Sequence, residues 1–132
     1  MNIDLTGRVA IVTGGGRGIG HTIARTLAAE GVVTVIADAR QDLLEDVGKL
    51  WAAQDWPGAQ MLCDVRDKTQ CLTLAAEVEA RFGAIDILVN NAGVAGGGRA
   101  EALAEEAWDA NLDVNLKGTF LMCQAAIPAM KR

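Results

Sequence analysis

The sequence contains no tyrosine and no serine, only one histidine, and few aromatic residues, with three tryptophans and two phenylalanines among 132 residues. Its three cysteines, Cys63, Cys71 and Cys123, are odd in number and form no C-x-x-C pair, so they predict reduced thiols rather than a disulfide framework. No cysteine lies at metal-ligand spacing from the histidine, so no metal site is expected. This cysteine usage favours a cytoplasmic protein.

Excess positive charge and long apolar runs are also missing. The net charge is −5 and the Lys and Arg residues are scattered singly, which disfavours nucleic acid or an anionic membrane as a partner. Residues 1–5 form no basic region followed by a long apolar run, so no signal peptide is expected. The apolar runs are too short to span a bilayer. We therefore expect one cytoplasmic domain over residues 1–132 with a single core.

Short apolar runs alternate with amphipathic helical patterns along the whole chain. The runs predict strands over residues 9–12, 32–37, 61–65 and 85–89. A helical pattern follows each run; the first has Ile19, Ile23 and Leu27 as its stripe, and the last covers about residues 103–130, either continuous or broken near Ala110. Strands that are apolar on both faces predict a parallel sheet covered on both sides. The expected fold is α/β, a Rossmann-like doubly wound parallel sheet made of its first four βα units.

The strongest local signal is the glycine-rich loop from Thr13 to Gly20, which lies between the first strand and the first helix. Glycines there allow a tight turn and let backbone amides approach a pyrophosphate at the positive end of the helix. The spacing is G-x-x-x-G-x-G, and a glycine loop alone could also serve an ordinary turn. Its position favours dinucleotide binding. The expected coenzyme contacts in the loop are Gly14, Gly16, Arg17, Gly18, Ile19 and Gly20.

Asp38 ends the second strand, 18 residues after Gly20, where an acid that binds the adenosine ribose is expected. Its carboxylate would accept hydrogen bonds from the ribose hydroxyls and repel a 2′-phosphate. Two like charges at about 4 Å are worth about 4 kcal/mol at an effective dielectric constant of about 20. NAD is therefore preferred over NADP. Two alternatives stay open: Asp38 is a solvated strand-end residue, or Arg17 or Arg40 receives the phosphate instead.

The loop, with Thr13, Gly14, Gly18 and Gly20 in a T-G-x-x-x-G-x-G pattern, resembles the phosphate turn of the short-chain dehydrogenase/reductase family. Three further matches follow in order and extend the resemblance over the whole chain: Asp64-Val65, Asn90-Asn91-Ala92-Gly93 and Val114-Asn115-Leu116. They resemble the family's adenine-contacting Asp-Val, its N-N-A-G motif beside the cofactor cleft, and its V-N-L motif. The resemblance thus adds Asp64, Val65, Asn91, Ala92 and Gly93 to the expected coenzyme contacts.

Each of these residues also has a structural alternative. Asp64 could cap the following turn, and Asn90 and Asn91 could be ordinary turn residues. The loop from Gly93 to Gly98 is expected to be a flexible crossing rather than a flap over the substrate. His21 is expected at the surface. The tryptophans, Trp51, Trp56 and Trp108, are expected to pack against the sheet or cover its edge.

The resemblance implies hydride transfer between a nicotinamide coenzyme and an alcohol or ketone. It implies that Asn115 belongs to the catalytic tetrad, whose Ser, Tyr and Lys we expect on elements after Arg132. As the N-terminal half or a fragment, the chain alone is expected to be inactive. The alternatives are a non-catalytic dinucleotide-binding module and a fragment that binds no ligand. We also expect a homo-oligomer, because the fourth strand would be an edge and the last helix would expose Phe120, Cys123 and Ile127.

Overall fold

The computed structural model describes residues 2–132; Met1, the first residue of the N-terminal stretch considered above, lies outside them. Four strands form one parallel sheet in the order β3-β2-β1-β4, with β1 at Val9–Thr13, β2 at Val33–Asp38, β3 at Gly58–Leu62 and β4 at Ile87–Val89. The main helices are α1 (Gly18–Ala29), α2 (Gln41–Gln54), α3 (Lys68–Phe82), α4 (Glu105–Asn111) and α5 (Gly118–Met130). A short 3-10 turn (Ala100–Ala102) precedes α4, and a π-helical segment (Leu112–Lys117) joins α4 to α5.

Both faces of the sheet are covered by helices, as the apolar strands predict. All five residues of β1 are buried. On one face Val9 and Ile11 pack in a cluster with residues of α3 and α5, and on the other face Val12 packs in a cluster with residues of α1 and α2. The expected α/β doubly wound parallel sheet is confirmed.

The strand order reverses beside β1. From β1 the chain moves outward to β2 and β3, and it then returns to pair β4 with the opposite edge of β1. In sheets of this kind ligands bind outside the carboxyl ends of the strands, at the point of reversal. The loops that follow Thr13 and Val89 meet at this point. The fold therefore brings the glycine-rich loop and the N-N-A-G segment to one edge.

Helix α1 packs on the sheet through small residues. Gly20, Ala24 and Ala28 are buried, whereas Ile19 is 77% exposed. The prediction of a buried stripe beginning at Ile19 is therefore wrong for that residue, and the other two members of the stripe are only half-buried. Small side chains let the helix backbone approach the strands closely. The buried face is consequently shifted by one residue from the large apolar side chains.

The third strand begins three residues earlier than predicted. Gly58 opens β3 opposite Thr34, at a φ of 144° and so close to the Thr34 carbonyl that no side chain fits there. Gly58 therefore forms the first rung of the ladder. Beyond Leu62 only the Cys63 amide continues the pairing, donating to the Asp38 carbonyl at 3.0 Å. Asp64 consequently lies in a turn after the strand.

The fourth strand is shorter than the predicted range 85–89. The Asp86 carboxylate accepts a hydrogen bond from the Val9 amide at 2.8 Å, so a side chain replaces a backbone acceptor just before β4 begins. Within residues 2–132, β4 pairs with β1 alone and its three side chains are half-buried. The predicted edge strand is confirmed.

The last helical stretch is continuous from Glu105 to Met130 rather than broken near Ala110. It begins two residues later than predicted, and it widens into the π-helical segment instead of breaking. Such segments occur often at functional sites. Asn115 lies inside it. In residues 2–132, no helix combines the length and apolar character that crossing a membrane requires.

The tryptophans and the histidine depart in part from expectation. Trp51 is 3% exposed and packs edge-on against Trp56, with ring centroids 5.0 Å apart, as predicted. Trp108 on α4 is 57% exposed, so the expectation that it packs on the sheet is wrong. His21 is half-buried rather than at the surface, because its ring lies beside Trp51, with 6.1 Å between the ring centroids.

Candidate dinucleotide-binding site

The carboxyl ends of the strands open onto a cleft of about 530 Å³, a volume typical of small-molecule sites. Most of the predicted coenzyme contacts line it, namely Gly14, Arg17, Gly18, Ile19, Asp38, Asp64, Val65, Asn91, Ala92 and Gly93. The predicted site residues Gly16, Gly20 and Asn115 are not part of its lining. Arg40, which the sequence offered only as an alternative receiver of the phosphate, also lines the cleft. The sequence prediction did not assign the further lining residues Ala39, Leu43, Cys63, Arg66, Val94, Ala110 and Val114 to the site.

The glycine-rich loop turns sharply out of β1 and presents the start of α1 to the cleft. Gly14 has a φ of +63° and lies so close to the N-N-A-G segment that a Cβ would be 2.8 Å from the Ala92 Cα. The residue preceding α1, Arg17, caps no amide of the first turn with its side chain. Helix N-terminal amides without such partners bind anions, aided by the helix dipole. The loop can therefore hold a diphosphate.

Gly16 and Gly20 shape the loop from behind. The Gly16 amide donates to Asp38 Oδ2 at 3.0 Å, and a Cβ on Gly16 would lie 2.7 Å from the Leu43 Cβ. A Cβ on Gly20 would lie 2.6 Å from the Gly14 carbonyl oxygen and against the side-chain amide of Asn91. These two glycines are thus required by close packing within the protein, a role distinct from the predicted contact with coenzyme.

Thr13 and Asn91 join the ends of β1 and β4. The buried Thr13 hydroxyl accepts hydrogen bonds from the amides of Asn91 and Ala92, both at 3.1 Å. In return, Asn91 Nδ2 donates to the carbonyls of Thr13 and Gly14, both at 3.1 Å. Thr13 is therefore a site residue that the sequence analysis left out of its list. The signal for it is its place as the first residue of the T-G-x-x-x-G-x-G pattern.

Asp38 is fixed by backbone donors on both sides. Its Oδ2 accepts from Gly16 N and its Oδ1 accepts from Arg40 N, both at 3.0 Å. The carboxylate is half-buried at the wall of the cleft. The Arg40 side chain turns to Asp42, with Nη2 2.6 Å from Oδ2, and this ion pair holds the pKa of Asp42 below its usual value. A fixed carboxylate with free lone pairs can accept further hydrogen bonds from a ligand.

Asp64 caps the turn that follows β3 and also lines the cleft. Its Oδ1 accepts from the Arg66 amide at 3.0 Å, which caps the turn after β3, and its Oδ2 lies 2.7 Å from the Arg66 Nη2. These hydrogen bonds from Arg66 lower the pKa of the Asp64 carboxyl. The residue also lines the cleft, beside the buried Val65. The Asp64–Arg66 pair therefore forms one wall of the site.

Cys63, which also lines the cleft, is buried and its thiol stays protonated. Burial raises its pKa to about 12, and the neighbouring Cys71 adds to the effect. A thiol in an unfolded chain has a pKa of about 8.5, so the folded state gains stability that is fully present below that pH and is lost as the pH rises toward 12. We expect native protein at pH 8 to be alkylated by iodoacetamide at the half-buried Cys123 well before Cys63. Peptide mass spectrometry measures the order.

Urea-unfolded protein is the control, in which the three thiols should react at similar rates. Alkylation of native Cys63 as fast as Cys123 would contradict the burial of this wall of the cleft.

Two asparagines on the last helical stretch anchor the loop from Gly93 to Gly98. Asn115 Oδ1 accepts from the Val94 amide at 2.8 Å, and its Nδ2 donates to the Val94 carbonyl at 2.9 Å. Asn111 Nδ2 donates to the Gly96 carbonyl at 3.1 Å. The loop is thus tethered at two points, where the sequence analysis expects a flexible crossing. Asn111 was missed, although its spacing of four residues from Asn115 places both on one helix face.

Asn115→Ala is expected to loosen this loop. The substitution leaves the Val94 amide without its acceptor, and a hydrogen bond of this kind contributes about 1 kcal/mol. Amide hydrogen exchange at Val94 should accelerate about fivefold, as measured by NMR. The control is Gln124→Ala, at an exposed position on α5, which should leave that rate unchanged. Equal rates in both variants would show that Asn115 does not anchor the loop.

Comparison with known proteins agrees with this geometry. The family model for short chain dehydrogenase matches residues 8–132. The chain is 42% identical over 125 residues to D-threitol dehydrogenase of Mycolicibacterium smegmatis, covering 95% of this chain and 48% of that protein. It is 38% identical over 125 residues to NAD-dependent glycerol dehydrogenase of Listeria innocua, and the match covers 93% of this chain and 47% of that protein. The chain spans about half the length of these curated relatives.

Solved structures give the same result. The apo form of LigO from Sphingobium sp. strain SYK-6 superposes with a TM-score of 0.92 at 34% identity, covering 96% of this chain and 47% of that one. A metagenomic short-chain oxidoreductase in complex with NADP has a TM-score of 0.89 at 37% identity, covering 97% and 58%. With the match to the family model over nearly all of its residues, the chain belongs to the short chain dehydrogenase family.

Proposed function

We propose that this chain supplies the coenzyme-binding part of an oxidoreductase that transfers a hydride between NAD and an alcohol or ketone. The observation that carries the proposal is the cleft at the point of strand reversal, where the start of α1 and the fixed carboxylate of Asp38 face the same space. When bound, the nicotinamide coenzyme supplies the group that accepts or gives the hydride. The residues of this chain bind and orient that coenzyme.

Each wall of the cleft has a distinct part in this binding. The unpaired amides at the start of α1 attract the diphosphate. Asp38 accepts hydrogen bonds from the adenosine ribose, and Asp64 and Val65 flank the adenine. Asn91 and Ala92 hold the loop after β4 against the glycine-rich loop, and Gly93 follows them in the lining of the cleft. Asn115 uses both side-chain atoms to hold Val94, so in this chain we assign it the positioning of the loop beside the cleft.

The preference for NAD over NADP rests on Asp38. The names of similar proteins point both ways, since one is NAD-dependent and another was solved with NADP. A carboxylate already fixed by two backbone amides repels a 2′-phosphate and is held in place to bind both hydroxyls of an unphosphorylated ribose. NAD is therefore the proposed coenzyme.

Turnover needs groups that this chain does not contain. A proton must move to or from the substrate oxygen as the hydride moves, and the chain has no Tyr or Ser to handle it. A positioned acid typically contributes about 10²- to 10⁴-fold to the rate. We therefore propose that this chain alone binds coenzyme without turnover. A non-catalytic dinucleotide-binding module would behave in the same way.

Isothermal titration calorimetry with NAD tests the proposal. We expect saturable binding with one site per chain, and competition by 5′-AMP because 5′-AMP carries the ribose and adenine that Asp38, Asp64 and Val65 are proposed to contact. If titration up to millimolar NAD gives no saturable heat, the remaining alternative is that the chain is a fragment that binds no ligand. Measurable oxidation of simple alcohols by the chain itself would overturn the view that it lacks the proton-transfer group.

The proposal extends to a homo-oligomer. Leu112, Leu116 and Phe120 are spaced four residues apart and are 40%, 67% and 58% exposed, with Ile127 further along α5 at 43%. An apolar stripe of this kind marks an interaction surface. We propose that a second copy of the chain packs on this stripe, beside the edge strand β4. The cytoplasmic location expected from the sequence stays a prediction.

Phe120→Glu is expected to shift the chain toward the monomer, because a buried unpaired carboxylate opposes association. Light scattering coupled to size exclusion measures the mass. The control is Leu72→Glu, at a residue on α3 that is also exposed, at 46%, but lies outside the stripe. A monomeric unchanged chain at micromolar concentration, or equal shifts in both variants, would contradict the proposed pairing.

A further inference from the structure

Three arginines line the cleft, and two of them are already paired. Arg40 binds Asp42 through two nearly parallel contacts, Nε to Oδ1 at 3.2 Å and Nη2 to Oδ2 at 2.6 Å. Arg66 binds Asp64 in a similar way. Among the residues that the structure describes, Arg17 has no such carboxylate partner. The positive charge at this end of the cleft is therefore largely committed to aspartates.

Arg40 is the arginine whose position bears on the ribose. Its amide donates to Asp38 Oδ1 at 3.0 Å, so its backbone is joined to the carboxylate that is proposed to bind the ribose hydroxyls. A guanidinium binds phosphate best through two parallel N–H groups. In this structure Asp42 occupies those groups. The guanidinium of the arginine joined to Asp38 is thus held by another anion.

We propose that Asp42 is a second determinant of coenzyme selectivity, acting with Asp38 by holding Arg40 away from the 2′-phosphate of NADP. The inference rests on the proposed function, since it concerns the same site. Asp42 is a positioning residue here, because it acts through Arg40. Its own negative charge adds to the repulsion of a phosphate.

The order of effects follows from the geometry. Removing Asp38 takes away the nearest negative charge but leaves Arg40 bound to Asp42. Removing Asp42 frees the guanidinium, yet Asp38 still repels the phosphate. A strong gain in binding of a 2′-phosphate therefore requires both changes. The Arg40–Asp42 pair is exposed, at 51% and 64%, and pairs of this kind contribute at most about 1 kcal/mol, so releasing Arg40 should raise the affinity for a 2′-phosphate by up to about fivefold.

The experiment is calorimetric titration of the chain with two adenosine probes, 5′-AMP and 2′,5′-ADP, which differ in the 2′-phosphate. In an Asp38→Ala background, Asp42→Asn should raise the affinity for 2′,5′-ADP by up to about fivefold and leave that for 5′-AMP unchanged. Adding Arg40→Ala should abolish the gain, and Asp42→Glu should restore low affinity. The matched control is Asp46→Asn, which removes an equal charge from the same helix, where Asp46 faces Lys49 at 3.7 Å.

Two results would overturn this inference without affecting the proposed function. One is an equal gain from Asp46→Asn, which would mean that net charge accounts for the effect. The other is a gain that persists after Arg40→Ala, which would mean that Arg40 does not bind the phosphate. Failure of the unchanged chain to bind 5′-AMP would overturn the proposed function and this inference together. Normal 5′-AMP binding with no response to Asp42→Asn would overturn only the inference.

Discussion

Asp38→Ala is expected to weaken NAD binding about 10- to 100-fold and to remove most of the discrimination against NADP. A hydrogen bond to a charged group contributes about 1.5–3 kcal/mol, and the substitution removes the carboxylate proposed to accept from the ribose hydroxyls. The affinity for NADP should fall less than the affinity for NAD, or should rise, because the repulsion of the 2′-phosphate disappears as well. Calorimetric titration with each coenzyme gives the two dissociation constants.

The control for this variant is Asp109→Ala, which removes the same charge from an exposed position on α4. Asp38→Asn adds a second comparison, because it keeps side-chain oxygen for the Gly16 or Arg40 amide but carries no charge. A weakened NAD complex with an unchanged ratio of NAD to NADP affinity would contradict the proposed role. It would show that Asp38 shapes the loop without contacting the ribose.

Gly20→Ala is expected to lower the free energy of unfolding by about 3 kcal/mol, at the upper end of overpacking effects. The new methyl group would lie 2.6 Å from the Gly14 carbonyl oxygen and against the amide of Asn91. Asn91 joins the ends of β1 and β4, so the clash displaces the loop together with the strand ends. NAD affinity should therefore fall as well. Urea unfolding followed by tryptophan fluorescence measures the change.

Gly97→Ala is the matched control, because a methyl group at Gly97 meets open space. The free energy of unfolding of that variant should lie within about 0.5 kcal/mol of the value for the unchanged chain. If Gly20→Ala were as stable as Gly97→Ala, the close packing of α1 on Asn91 would not be what fixes the glycine-rich loop.

The sequence predicts well those features that depend on patterns among neighbouring residues in the chain. The apolar runs identified four strands, and the position of the glycine-rich loop between β1 and α1 is as expected. At the start of α3 the Asp67 side chain accepts from the Gln70 amide, an Asp-x-x-Gln capping pattern that is visible in the sequence. Gly83, which has a φ of 85°, directly follows the last residue of that helix, where a glycine is a common stop. Each of these depends on residues within one turn of one another.

The features that sequence missed depend on how close two elements come in space. The start of β3 at Gly58 was missed because the close approach of this glycine to Thr34 involves a neighbouring strand. The buried face of α1 was misplaced because large apolar residues were weighted over Gly20 and the alanines that pack on the sheet. The roles of Thr13 and Asn111 appear only once their partners on distant segments are known.

The most direct test of the account is a crystal structure of the chain with NAD bound. The account predicts the diphosphate within hydrogen-bond distance of the backbone amides between Gly14 and Gly20, with the adenosine ribose on Asp38. A diphosphate bound elsewhere on the chain would contradict the central claim, whatever the affinity.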